Sequence, residues 1–142
     1  MIFFPDVNVW IALASDQHVH NRVAKQWLDG LENYQLLFCR LTELGFLRLL
    51  TNSHVMGSGV LTGERAWNLY QKLRGDPRIL FLPERAGFQE IWKHYAAQLQ
   101  GGTNSWTDTY LAAFASHISA TLITFDRNLS KTDRCSVVTL SG

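Results

Sequence analysis

Strand-type and helix-type segments alternate along the whole of this chain. That alternation predicts an α/β fold, with a mostly parallel central sheet flanked by helices on both faces. Two other observations agree. The 142 residues fill one domain of about 150 residues and leave no room for a second, and no repeat, linker or low-complexity tract breaks the alternation. Apolar residues make up 46% and charged residues 18% of the sequence, enough for a core and too apolar for a disordered chain. A single domain over residues 1–142 is expected.

The elements follow in order. Residues 2–4 are a short apolar run closed by Pro5, a first strand. Residues 7–14 read as a helix with Val9, Trp10 and Leu13 on one stripe. Residues 20–31 read as a second, because Val23, Trp27 and Leu31 recur at every fourth position and Asp29 faces Lys25 across a turn. A buried strand over 35–39 leads into a helix over 41–50 whose apolar face holds Phe46, Leu47 and Leu50. Residues 51–63 carry Gly57, Ser58, Gly59 and Gly63 and read as a loop. A helix over 64–74 is broken by Gly75-Asp76-Pro77. A strand over 79–82 precedes a long helix over 84–99, with Phe88, Ile91, Trp92 and Tyr95 inward and Gly101-Gly102 ending it. Residues 107–118 return to helix, small on one side at Ala112 and Ala115. A strand over 122–125, a turn over 127–129 and a last strand over 137–140 complete the chain.

Thirteen basic residues against 12 acidic ones give a net charge of +1. This excludes a polybasic tail or an acidic solvating segment, but not a local patch for nucleic acid. Cys39 and Cys135 are too few for a disulfide scaffold or a cysteine-built zinc site. His18 and His20 have near-ligand spacing, yet no third ligand lies nearby. No apolar run reaches the ~18 residues of a membrane span, and the first residues lack the basic start of a signal peptide. A cytoplasmic chain with no membrane attachment is expected.

Most acids read as solvated helix faces, but four do not. Asp6 is followed at offsets of three, four and seven by Val9, Trp10 and Leu13, and Glu43 by Phe46, Leu47 and Leu50. Asp108 is followed by Leu111, Ala112 and Ala115, and Asp126 by Leu129. Each acid heads the inward stripe of a helix. Asp6, Glu43 and Asp126 also lie just past strands, where the carboxyl ends of parallel strands form a ligand-binding rim. Asp108 can join them from the first turn of its helix. Four carboxylates on one rim repel unless protonated or bridged by a cation. Oxygen-only ligands point to Mg²⁺ or Mn²⁺ rather than zinc or copper. The plainer alternative is capping, since Asp is a preferred N-cap residue and Ser105-x-x-Asp108 matches a capping box. Glu is a poor N-cap, so Glu43 among mostly apolar neighbours needs a partner of some kind.

Three stretches around these acids resemble the acidic motifs of PIN-domain nucleases: Asp6-Val7-Asn8-Val9-Trp10-Ile11-Ala12-Leu13, Thr107-Asp108-Thr109-Tyr110-Leu111-Ala112-Ala113-Phe114-Ala115, and Thr124-Phe125-Asp126-Arg127-Asn128-Leu129. Their compact form, with the segment 39–50 around Glu43, is similar to the VapC toxins of bacterial toxin–antitoxin pairs. The likeness runs from residue 2 to about residue 138. It implies a metal-dependent endoribonuclease that cuts tRNA or rRNA and arrests growth, a VapB-type antitoxin that covers the active site, and a toxin homodimer. Position by position, Asp6, Glu43, Asp108 and Asp126 match the acidic quartet. Asn8 matches the polar residue after the first Asp, and Thr124 the hydroxyl residue two before the last. Asn104 and Ser105 stand where some relatives carry a further acid.

On this reading Asp6 and Asp108 hold the main Mg²⁺ or Mn²⁺ ion. Glu43 and Asp126 complete its shell or bind a second, or Asp126 orients the water. Asn8 and Thr124 hydrogen-bond these carboxylates. Arg127 and Asn104 are the candidate RNA contacts, among scattered cations that include Arg40, Arg74 and Arg78, with Trp106 and Tyr110 available for stacking. Two alternatives stay open: a non-catalytic nucleic-acid or protein binding module on the same fold, and a DNA-directed nuclease of that fold. A phosphoacceptor receiver domain needs a paired acid beside its first Asp, and Asp6 has Pro5 and Val7. A haloacid-dehalogenase-type phosphatase needs Asp-x-Asp, and Asn8 stands at its third place.

Overall fold

The computed structural model describes residues 1–99, 106–129, 132 and 134–141. Five strands, β1 (Ile2–Pro5), β2 (Gln35–Phe38), β3 (Ile79–Phe81), β4 (Thr121–Thr124) and β5 (Val137–Thr139), form one sheet in the order β3-β2-β1-β4-β5. Every pairing is parallel: Phe3 lies opposite Leu36, Leu37 opposite Leu80, Phe4 opposite Leu122 and Ile123 opposite Val138. Among the described residues seven helices connect them: α1 (Val7–Ala14), α2 (Asn21–Asp29), α3 (Arg40–Leu50), α4 (Ser53–Met56), α5 (Gly63–Arg74), α6 (Phe88–Ala96) and α7 (Trp106–His117).

Side-chain alternation along the strands divides the core into two layers. Phe3, Leu36, Phe38 and Ile123 meet Trp10 of α1, Phe46 and Leu50 of α3 and Tyr70 of α5. Phe4, Leu37 and Leu122 meet Phe88 of α6 and Leu111 and Phe114 of α7 on the other face. A parallel sheet covered on both sides has this continuous apolar character in its central strands. Pro5 closes β1, and the next N–H, that of Asp6, donates to the Ile123 carbonyl at 2.9 Å. The chain therefore leaves the sheet still tethered to β4.

Three expectations change. The segment 51–63 holds α4 and a 3₁₀ turn at Gly57–Gly59, because the Asn52 side chain accepts from the His54 N–H at 2.8 Å and starts a helical turn that the glycines obscured. The helix expected from residue 84 begins at Phe88. Gly87, at φ 91°, stands in a left-handed conformation just before it, which stops any helical turn from running through Pro83 and Glu84 into α6. Lys25 reaches Asp16 at 3.0 Å across the α1–α2 connection.

Gly45 sets the closeness of α1 and α3: a Cβ there would stand 2.6 Å from Val7 Cγ2 and 3.3 Å from Cγ1. Val7 is β-branched and stiff, so the helices must move apart. Gly45→Val is expected to lower stability by about 2 kcal/mol, overpacking outweighing the gain in helix propensity. Urea unfolding of the purified variant checks this; a midpoint equal to the parent's would show that the helices give way freely.

Candidate active site

The strand order puts the site between β1 and β4. From β1 the chain moves to β2 and β3 on one side, whereas β4 and β5 lie on the other. The carboxyl ends of the strands beside such a reversal form an open crevice. Asp6 follows β1 there, Asp126 follows β4 by two residues, and Asp108 enters from the first turn of α7.

One buried hydroxyl stitches the first two together. The Thr124 Oγ1–H donates to Asp6 Oδ2, and the same oxygen accepts from the Asp126 N–H at 3.0 Å. Asp6 Oδ1 accepts from the Val9 N–H at 3.0 Å and caps α1. The cap and the site are therefore one carboxylate, with a further lone pair on each oxygen. Asp126 Oδ1 accepts from the Asn128 N–H at 2.8 Å, which folds the turn after β4 back on itself. Asn8 approaches Asp6 through its backbone N–H, and its side chain is exposed.

Electrostatics ties the three aspartates together. Burial pushes the Asp6 carboxyl above its ordinary range, against the lowering pull of Thr124 and the α1 N–H groups, and the charge of Asp126 adds to the rise. Asp108 is raised in the same way, by burial first and by Asp126 second. Asp108 also opens on a cleft of about 250 Å³ that Asn128 and Arg134 help to line.

Glu43 is bound to other side chains. Its carboxylate is buried in the first turn of α3, where Arg40 Nη1 donates to Oε1 and the Tyr70 hydroxyl donates to Oε2 at 2.6 Å. Burial, then the bond to Glu43, pushes the Tyr70 hydroxyl up to about 12. The Asp126 charge thus acts on Asp6 and Asp108, while Glu43 is bound to Arg40 and Tyr70. Among the described residues no three His, Cys, Asp or Glu side chains stand close enough to share one ion. The donor set still fits a hard divalent cation. Asp6 and Asp108 are both held above their ordinary ionisation range by burial and by a common negative neighbour, and a positive charge between them relieves that cost.

The PIN domain family matches residues 3–134. Ribonuclease VapC41 of Mycobacterium tuberculosis is 39% identical over 126 residues, 85% of this chain and 86% of that one. This chain belongs to the PIN-domain family, in its VapC group. Solved structures share the fold, these two among them. The VapBC2 structure from Rickettsia felis bound to a promoter DNA fragment has a TM-score of 0.73 and 14% identity, covering 99% of this chain and 100% of that one. VapC20 of Mycobacterium tuberculosis, a sarcin-ricin loop cleaving toxin, has a TM-score of 0.69 and 17% identity, covering 92% and 93%.

In this VapC-family chain the expected RNA contacts separate by position. Arg127 is exposed on the turn beside Asp126. Asn104 lies outside the described residues, as does the Ser105 cap. Trp106 is 62% exposed, two residues from Asp108. Tyr110 is not available for stacking, because it is buried between Phe88, Trp92 and Phe114 and its hydroxyl donates to Glu84 at 3.2 Å. Arg78 lies at the opposite end of the sheet, ahead of β3, paired to Asp76 and set over the Tyr34 ring. Sequence reasoning missed Tyr70, the partner of Glu43. The two are 27 residues apart, and no local pattern marks the pairing.

Proposed function

We propose that this chain is the toxin of a type II toxin–antitoxin pair, an endoribonuclease that hydrolyses phosphodiester bonds of tRNA or rRNA with Mg²⁺ or Mn²⁺, works as a homodimer and is neutralised by a VapB-type antitoxin. The observation that carries this reading is the trio at the β1–β4 reversal: three elements each deliver an aspartate, and the charge of Asp126 acts on the other two. Asp6 and Asp108 would hold the cation, their side chains closing on it as it binds, with Asp126 and Glu43 drawn in to complete its shell or to hold a second. Bound there, it supplies Lewis acidity toward the phosphodiester and acidifies a water.

The chain's own residues do the positioning. Thr124 and the Val9 N–H fix the two Asp6 oxygens from opposite sides, and the Asn128 N–H fixes Asp126. Those carboxylates are thereby oriented before substrate arrives, which is the main protein contribution to such catalysis. The family likeness to ribonuclease VapC41 supports the RNA substrate and the toxin role.

Expression in a bacterial host tests the reading. The parent is expected to arrest growth with a discrete cut in total RNA, while Asp6→Ala and Asp108→Asn grow normally at equal protein levels. Equal growth of all three, with soluble folded protein and intact RNA, would overturn it.

A further inference from the structure

The rim continues past the aspartates. Between α3, α5 and the end of β3 lies a cleft of about 580 Å³, lined by Arg40, Glu43, Trp67, Tyr70, Arg74 and Phe81. The guanidinium groups of Arg40 and Arg74 both lie over the Phe81 ring, 4.8 and 5.4 Å from its centre. Arg74 Nη1 donates to the Tyr70 hydroxyl at 3.1 Å, and Arg74 Nε is buried with no hydrogen-bond partner among the described residues. Two arginines face one carboxylate, so the cleft is positive. Trp67 is 45% exposed, and its ring packs on Tyr70 with centres 5.6 Å apart.

We propose that this cleft binds the nucleotide adjacent to the one cleaved, with its phosphate on Arg40 and Arg74 and its base against Trp67. The proposal rests on the ribonuclease reading above. Strands β3 and β2 end at the cleft and β1 ends at Asp6, so the two places are one or two strand spacings of ~4.8 Å apart along the same rim. Arginine suits phosphate because its fork presents several N–H groups, and an aromatic face accepts any base. The subsite therefore adds affinity without reading sequence. An arriving phosphate also competes with Glu43 for Arg40, which leaves that carboxylate held by Tyr70 alone. Filling the cleft thus loosens Glu43.

Binding in EDTA tests the subsite apart from cleavage. The probe is a labelled mixed-sequence single-stranded RNA 12-mer, followed by fluorescence anisotropy against parent, Arg74→Gln, Trp67→Ala, Trp67→Phe and Asp108→Asn, each checked for folding by circular dichroism. Arg74→Gln and Trp67→Ala are each expected to weaken binding about tenfold. Trp67→Phe restores most of the loss, and Arg74→Gln reduces the salt slope by about 0.7. Asp108→Asn binds at least as tightly as the parent. Parent-like affinity in Arg74→Gln and Trp67→Ala would overturn the proposal. So would loss of affinity accompanied by dissociation in light scattering, which would give the cleft to a second copy of the chain. If the parent cleaves no RNA when Mg²⁺ is supplied but both variants still lose affinity, the subsite stands and only the cleavage reading falls.

Discussion

Asp108→Asn is expected to lower cation-dependent RNA cleavage by at least ~100-fold while leaving the cation-free protein more stable than the parent. The two effects have one origin. Burial and the neighbouring Asp126 hold the Asp108 carboxyl above its ordinary value of 3.8 in the folded chain. The unfolded chain therefore releases that proton first as pH rises, and stability falls from about pH 3.8 upward through the raised folded value. Asparagine removes the falling limb and the charge together. Asp6→Ala behaves differently, since it also removes the N-cap of α1, a loss of about 1 kcal/mol, and leaves the Thr124 hydroxyl without its acceptor. Single-turnover cleavage together with urea unfolding at pH 5 and pH 8 checks both. A parent-like rate in Asp108→Asn would remove that residue from the site.

Trp10→Ala should cost about 4 kcal/mol, a large share of the 5–15 kcal/mol that hold such a domain together. Trp10 is 1% exposed. Its ring stacks on Phe38 at 3.9 Å and meets Phe46 edge-on at 6.5 Å, so it joins α1, β2 and α3. Its Nε1–H is buried with no partner among the described residues. Trp10→Phe is therefore expected to cost much less than its lost volume implies, because the unsatisfied donor goes with the ring. Thermal unfolding of both variants checks this, and equal losses in the two would contradict it. Trp10→Ala should lose cleavage in proportion to the fraction unfolded, unlike Asp108→Asn.

The fold was legible because a parallel sheet buried on both faces writes itself as apolar runs, and all five strands were found where Ile2, Gln35, Ile79, Leu122 and Val137 announced them. Helix faces were legible for the same reason: Phe88 and Leu111 are buried as their periodicity implied. Helix ends were less so. Periodicity continues through Glu84, yet the left-handed Gly87 decides where α6 begins. Exposure of aromatics was the least legible. Tyr110 and Trp106 share a helix, but one is sealed by α6 and the other faces solvent, which depends on where α6 lands.

At the site, each acid was visible from its own neighbours, as the head of an apolar stripe. Their grouping was not. The partners of Glu43 include Tyr70, and Tyr70 arrives on α5 through tertiary packing alone. Arg74 is one scattered cation among several in the sequence, and nothing local marks Trp67. They become a cleft only when α5 docks beside β3.

The most direct test is chemical analysis of the cut ends. The purified chain is incubated with total RNA and Mg²⁺ or Mn²⁺, with and without EDTA, and the termini at the discrete cut are identified. Hydrolysis by an activated water predicts cleavage that EDTA abolishes and fragments free of 2′,3′-cyclic phosphate. Cleavage that persists in EDTA, or fragments ending in the cyclic phosphate left by attack of the 2′-hydroxyl, would contradict a carboxylate-held cation at Asp6, Asp108 and Asp126.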